Sequence, residues 1–164
     1  MAMTALLALA LACSPLVDSR TVEALVSVES GFNPHAIGVV GGTLARQPRN
    51  RVEALATTRD LQAGGWNFSV GLAQINVRNF PRLGLNLESA LDPCENLAAM
   101  QIVLKDCFDR ASQRSDAPQR ALRQALSCYY SGNFVTGFRD GYVDRVVRAS
   151  RVPATSLRQS KESS

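Results

Sequence analysis

Apolar positions 22, 25 and 26 repeat with the spacing of one helical face, which predicts a helix over residues 19–29. Asp18 or Ser19 can cap its start, and Gly31 and Pro34 stop it. Residues 37–47 are Gly-rich and read as loop or short hairpin. A second helix is predicted over 50–62, capped by Asn50, with Val52, Leu55, Ala56 and Leu61 inward and Gly64-Gly65 at its end. Residues 70–77 form a short apolar segment, helix or turn. Leu97, Met100, Ile102, Val103, Leu104 and Phe108 are the apolar positions of a long helix over 93–111. Residues 118–129 give another, with Pro118 near its first turn, and 137–147 contain a final helical stretch. No internal repeat is visible. The pattern predicts a mainly α domain over 13–150, between an apolar segment at 1–12 and a Ser-, Arg- and Lys-containing tail at 151–164 expected to fray.

Length and composition agree with one packed core: 164 residues, 46% apolar and 20% charged. The formal charge is +4, and residues 151–164 supply +2 of it. No run concentrates basic residues on one face, which argues against a nucleic-acid partner; mild basicity suits an anionic polymer. The apolar stretch 4–12 is too short to span a bilayer, so no stable membrane span is expected. Ala10-Leu11-Ala12 resembles a signal-peptidase site, and Cys13 after it a weak lipoprotein-like site. No Lys or Arg precedes the stretch, however, so a first core helix is an equal reading.

The four cysteines, Cys13, Cys94, Cys107 and Cys128, form no CxxC pair and lie far from the one histidine, His35, so no metal site is expected. They read as buried free thiols or, in an exported protein, as two disulfides. His35 reads as a surface histidine, and Trp66 as core or rim packing rather than a sugar platform. Glu53 and Asp60, and Arg145, Arg148 and Arg151, read as solvated helix faces. Gly41-Gly42 lacks the Lys-Ser context of a phosphate loop and reads as a turn.

Glu29 is the most informative residue. It continues the 22, 25, 26 series to i+7, which places a carboxyl on an apolar face in the last turn, at the negative end of the helix dipole. Burial and dipole both favour the neutral acid, the form that protonates a glycosidic oxygen. Spacing alone favours a helix-end glutamate bent out to solvent.

The neighbouring motifs decide between these. Glu29-Ser30-Gly31-Phe32-Asn33-Pro34 resembles the Glu-Ser motif of lytic transglycosylases. Gly71-Leu72-Ala73-Gln74-Ile75-Asn76 resembles their Gly-Leu-Met-Gln-Ile motif, with Ala73 in the Met place. Ser127-Cys128-Tyr129-Tyr130-Ser131-Gly132-Asn133 resembles Ala-Tyr-Asn-x-Gly, with Cys128 for Ala and Tyr130 for Asn. Gly141-Tyr142-Val143 resembles the closing Tyr-Val motif. All four occur in the family's order across about residues 13–148. Residues 33–42, 66–69 and 129–134 look most like the branch associated with type IV secretion and conjugation.

That resemblance implies a lysozyme-like fold with a saccharide cleft, no cofactor, peptidoglycan glycan strands as substrate, other secretion-system components as partners, and a periplasmic location. It implies Glu29 as the single catalytic acid and then base, with Ser30 hydrogen-bonding near Glu29 and the reacting sugar. Gln74 and Asn76 would line the cleft floor, Tyr129 would position Glu29, and Tyr142 would be a second wall residue. The change at Tyr130 puts that position's polar role in doubt. The Gly71–Asn76 motif offers amides and no second carboxylate, which favours transglycosylation, closing a 1,6-anhydro ring, over hydrolysis. A hydrolytic muramidase on the same fold and a non-catalytic wall-binding assembly module are the alternatives.

Helix geometry also narrows the cysteine pairing. Cys94 and Cys107 lie in one predicted helix, about 20 Å apart, whereas a disulfide spans about 4.4–6.8 Å between Cα atoms. Cys107 and Cys128 fall at similar heights on consecutive, antiparallel helices. This favours Cys107–Cys128 and, by elimination, Cys13–Cys94.

Overall fold

The computed structural model describes residues 1–151; the part of the expected tail beyond Arg151 lies outside the described residues. The chain is mainly α with one small sheet, as expected. Helix α1 (Met3–Cys13) buries Leu6, Ala10 and Cys13 against α2 (Ser19–Ser30) and α6 (Pro93–Ser112). Asp18 caps α2 by accepting from the Arg20 amide, and Gly31, with φ of 58°, ends it in the left-handed conformation that glycine adopts without a Cβ penalty. Three short strands follow: β1 (Ile37–Val39), β2 (Phe68–Val70) and β3 (Ile75–Asn76), antiparallel in that order. α3 (Arg51–Ala63) lies between β1 and β2 in the chain. A 3-10 turn and the short helices α4 (Phe80–Leu83) and α5 (Leu87–Ala90) lead into α6. α7 (Pro118–Ser131), α8 (Thr136–Arg139) and α9 (Tyr142–Arg151) complete the domain.

Two expectations about the loop region change. Residues 37–47 are not a local hairpin, because β1 pairs with β2, some thirty residues on, at Ile37↔Val70. The other edge of Ile37 is taken by the Gln47 side-chain amide, which donates to its carbonyl (2.9 Å) and accepts from its N–H (2.8 Å). Residues 70–77, read as helix or turn, instead end one strand, turn, and form the next.

In α3, Asn50 does cap by accepting from Glu53 N–H (2.9 Å), and Leu55 and Leu61 pack partly buried against the core, but the fully buried positions are Ala54 and Thr58. Val52 is 78% exposed and Ala56 is also exposed. Thr58 tolerates burial because its hydroxyl donates within the helix to Ala54 O (3.0 Å). Glu53 is held by Arg46 and Arg49 rather than only solvated, and these bonds pull its carboxyl down to about 2. Ile102, on the apolar pattern of α6, is 50% exposed.

Disulfides join Cys13 to Cys94 and Cys107 to Cys128, with Cα separations of 5.3 and 5.8 Å. These are the pairs that helix spacing favours. The first closes a long loop, with a sequence separation of 81. On chain entropy such a closure stabilises by about 4 kcal/mol. A Cys13→Ser/Cys94→Ser double variant is therefore expected to unfold at lower urea, with a loss of unfolding free energy approaching that figure; an unchanged midpoint would show that α1 docks without its cross-link.

Candidate active site

A cleft of about 530 Å³ runs between the sheet and the α6–α7 pair. The sheet side contributes Gly38, Val39, Val40, Ser69, Gln74 and Asn76; the helical side contributes Val103, Asp106, Arg110, the cystine Cys107–Cys128, Tyr129 and Tyr130. Glu29 reaches it from the end of α2.

The Glu29 carboxyl accepts a 2.5 Å hydrogen bond from the hydroxyl of Tyr142, at the start of α9. Burial pushes the carboxyl up from 4.5 to about 7; the Tyr142 bond and the positive charge of Arg145 act the other way and are outweighed. The group thus keeps its proton close to neutrality. The Tyr142 hydroxyl is itself raised well above 10, by burial first and by the nearby Glu29 charge second, so it stays a donor.

The hydrogen bond to Glu29 comes from Tyr142, while Tyr129 stays near Glu29 without bonding it. Tyr142 is 2% exposed and stands behind Glu29 instead of forming a cleft wall, because α9 packs along α2 and brings the start of α9 to the end of α2. Tyr129 lines the cleft, but its hydroxyl donates to Ala73 O (2.7 Å) and not to Glu29. It therefore anchors the turn that carries Gln74. Ser30 donates to Val26 O one turn back in α2 (3.2 Å), and its hydroxyl is engaged inside the helix.

Gln74 and Asn76 both line the cleft. Gln74 holds the left-handed conformation with φ of 51°, uncommon for a side-chain-bearing residue. Its Nε2 donates to Ala36 O and Gly71 O, each at 3.0 Å, which ties the entry of β1 to the β2–β3 turn. With both amide hydrogens so used, Oε1 is the atom left to meet a ligand, as an acceptor. Oε1 lies over Gly38, where an added Cβ would come within 2.8 Å of it, so the close approach requires glycine. Asn76 Nδ2 donates to Ser69 Oγ (3.2 Å), and its Oδ1 accepts from Arg78 N–H (3.0 Å), pinning β3 to β2.

Sequence reasoning misses three contributors. Asn96, 1% exposed on α6, accepts from Ala73 N–H (2.8 Å) and donates to Val70 O (3.0 Å) and Ala90 O (2.8 Å). It is the internal scaffold of the Gln74 turn; its one available signal is an asparagine among the apolar positions of α6. Asp106 brings a second carboxylate to the cleft, paired with Arg110 at 3.0 Å. The Cys107–Cys128 cystine forms wall as well as cross-link, with Arg110 Nη2 3.1 Å from Cys128 Sγ. Trp66 leans on Gly42 and Gly64 and is not among the lining residues. His35, expected at the surface, is half-buried, and its Nδ1 has no partner among the described residues. No group of three or more His, Cys, Asp or Glu among the described residues is placed to hold a metal ion.

Comparison with known proteins adds to this geometry. The family model described as Transglycosylase SLT domain matches residues 7–144. The chain is 47% identical over 156 residues to the type IV secretion system protein virB1 of Brucella suis biovar 1 (strain 1330), covering 92% of this chain and 66% of that protein. It is 40% identical over 146 residues to protein virB1 of Agrobacterium tumefaciens (strain 15955), covering 87% of this chain and 60% of that one. The chain thus spans less than two thirds of the length of these relatives. No solved structure matches it.

Proposed function

From the premise that this chain belongs to the transglycosylase SLT domain family, we propose that it cleaves the β-1,4 bond between the muramoyl and glucosaminyl sugars of peptidoglycan without water. The observation that carries the reading is Glu29: a buried carboxyl at the cleft, hydrogen-bonded by Tyr142 and protonated up to about 7. It gives its proton to the glycosidic oxygen as the C1–O bond breaks. The muramoyl N-acetyl carbonyl supports the electron-poor C1, as in substrate-assisted glycosidases. Glu29, now a carboxylate, takes the proton from the sugar's 6-hydroxyl, and O6 closes on C1. A 1,6-anhydro end forms and Glu29 is restored to the acid.

Gln74 Oε1 and the cleft floor hold the reacting sugar in line. Positioning of this kind matters because a small misplacement of the reacting bond slows chemistry. In this scheme the unit is residues 13–150, with segment 1–12 as its first helix. The name of the Brucella relative, type IV secretion system protein, supports a role beside a type IV secretion apparatus, with other components of it as partners and local opening of the wall as the contribution of the cleavage. A periplasmic location fits the two disulfides. No helix among the described residues is long and apolar enough to cross a membrane.

Asp106 supports a second reading, hydrolysis with two carboxylates in one cleft. Digestion of purified sacculi in ¹⁸O-water separates the two. Transglycosylation leaves unlabelled anhydro ends, and Asp106→Asn keeps that product with turnover within a few-fold. Labelled reducing ends that disappear in Asp106→Asn would make the protein a hydrolase.

A further inference from the structure

Tyr130 lies on the cleft side of the acid, yet the mechanism above gives it no part. It lines the cleft and is 43% exposed. Its ring is stacked on that of Tyr142, with centroids 4.6 Å apart and planes 18° from parallel. Its hydroxyl donates to Asp140 Oδ2 (3.3 Å), and the other oxygen of Asp140 is paired with Arg139 Nε at 2.8 Å. Arg145 also approaches the Tyr142 ring (5.9 Å to its centroid), and is held by Asp140 O (3.1 Å). Tyr142 is 2% exposed beside an open cleft, and the stacked ring of Tyr130 is a cleft-lining group that covers it.

We propose that Tyr130 is a positioning residue for Glu29: braced by Asp140 and stacked on Tyr142, its ring closes the Tyr142–Glu29 hydrogen bond against the water of the cleft. This rests on the reading of Glu29 as the acid. The physical reason is local polarity. A hydrogen bond and a neutral carboxyl are both favoured where water is excluded. A stacked aromatic excludes it without adding a charge, and two offset rings also restrict each other's rotation. The charged and titratable groups facing Glu29 are Tyr142 and Arg145 from α9 and Tyr129 from α7. α1, packed on α2, carries no titratable side chain except the disulfide-bonded Cys13. Replacing Tyr130 thus changes hydration at Glu29 while leaving these neighbours in place.

The test reads Glu29 in the resting protein. Glutamate carboxyl carbons are labelled with ¹³C, the Glu29 resonance is assigned by its loss in Glu29→Gln, and its titration midpoint is followed. Tyr130→Phe keeps the ring and loses only the bond to Asp140, so its midpoint stays with that of the parent protein. Tyr130→Asn admits water and lowers the midpoint by about one pH unit, and the alkaline limb of kcat/KM on sacculi moves down with it. If the Asn variant fails to fold, Tyr130→Gln gives the same direction. Unmoved midpoints in the polar variants overturn the proposal. A rise in KM with an unmoved midpoint also overturns it, by making Tyr130 a sugar-contacting residue. Because the midpoint is measured without substrate, absence of cleavage by the parent protein would sink the transglycosylase reading and leave this result standing by itself.

Discussion

Glu29→Gln is expected to abolish cleavage of sacculi while the protein stays folded. Loss of a general acid costs about 100- to 10,000-fold, and more where the same group also serves as the base. Gln keeps the shape and a carbonyl to accept from Tyr142, so the loss isolates the proton. The same variant carries a stability signature. The carboxyl's folded value, about 7, lies above the ordinary 4.5, so the native state binds the proton more tightly than the unfolded chain. Stability from this group is full below 4.5, falls as pH rises towards 7, and is level above it. Above pH 7 the Gln variant, free of this cost, is expected to be more stable than the parent by up to about 3 kcal/mol, and no such gap should exist under acid conditions. Urea titrations on both sides of the interval check the second claim. Cleavage within a few-fold of the parent would remove Glu29 from the mechanism.

Asn96→Ala is expected to do the largest damage to the framework. It strands three backbone groups at once, Ala73 N–H, Val70 O and Ala90 O, in a site from which water is excluded. At about 1–3 kcal/mol for each group left unsatisfied, some of it relieved by entering water, the cost is about 3–6 kcal/mol. Asn96→Asp is no rescue, since two of the three bonds need the amide's hydrogens. Gly71→Ala reaches the same contact from the other side: its Cβ would fall 2.3 Å from Asn96 Nδ2, at a backbone φ of 81°. Calorimetry is the direct check. A melting temperature within a degree or two of the parent would mean the turn is held by other contacts.

The helical part of this structure is readable because it rests on short-range periodicity. Val22, Leu25, Val26 and Glu29 share one face of α2 because 3.6 residues make a turn, and the motifs around Glu29 decide that its carboxyl stays on the apolar side. Cys107 and Cys128 can be paired from the same arithmetic. Where several elements meet, local pattern carries less. Strands of three and two residues offer too few alternations for a period-2 signal, and β1 finds β2 across a helix of the intervening chain. Val52 looks like a core residue by type, but α3 turns Ala54 and Thr58 fully inward, with Leu55 and Leu61 partly buried beside them, and leaves Val52 outside. Motif resemblance brings Tyr129 and Tyr142 to the site. Which hydroxyl reaches Glu29 depends on how α9 lies along α2, a tertiary fact with no local signal.

The bond between Cys13 and Cys94 also changes the connectivity of the molecule under tension. Traction applied at the two ends of the domain runs along α1, crosses the sulfur bridge into α6, and leaves towards α7 by the Cys107–Cys128 bridge. The 81-residue separation spanned by the first bridge contains α2, the sheet, Glu29 and Gln74, and none of it lies on that shortest covalent route. A pull on the domain is therefore borne by α1, α6 and the C-terminal helices, while the sheet side of the cleft stays slack. Reduction of this one bridge would put α2 and the sheet, and with them Glu29 and Gln74, in series with the force.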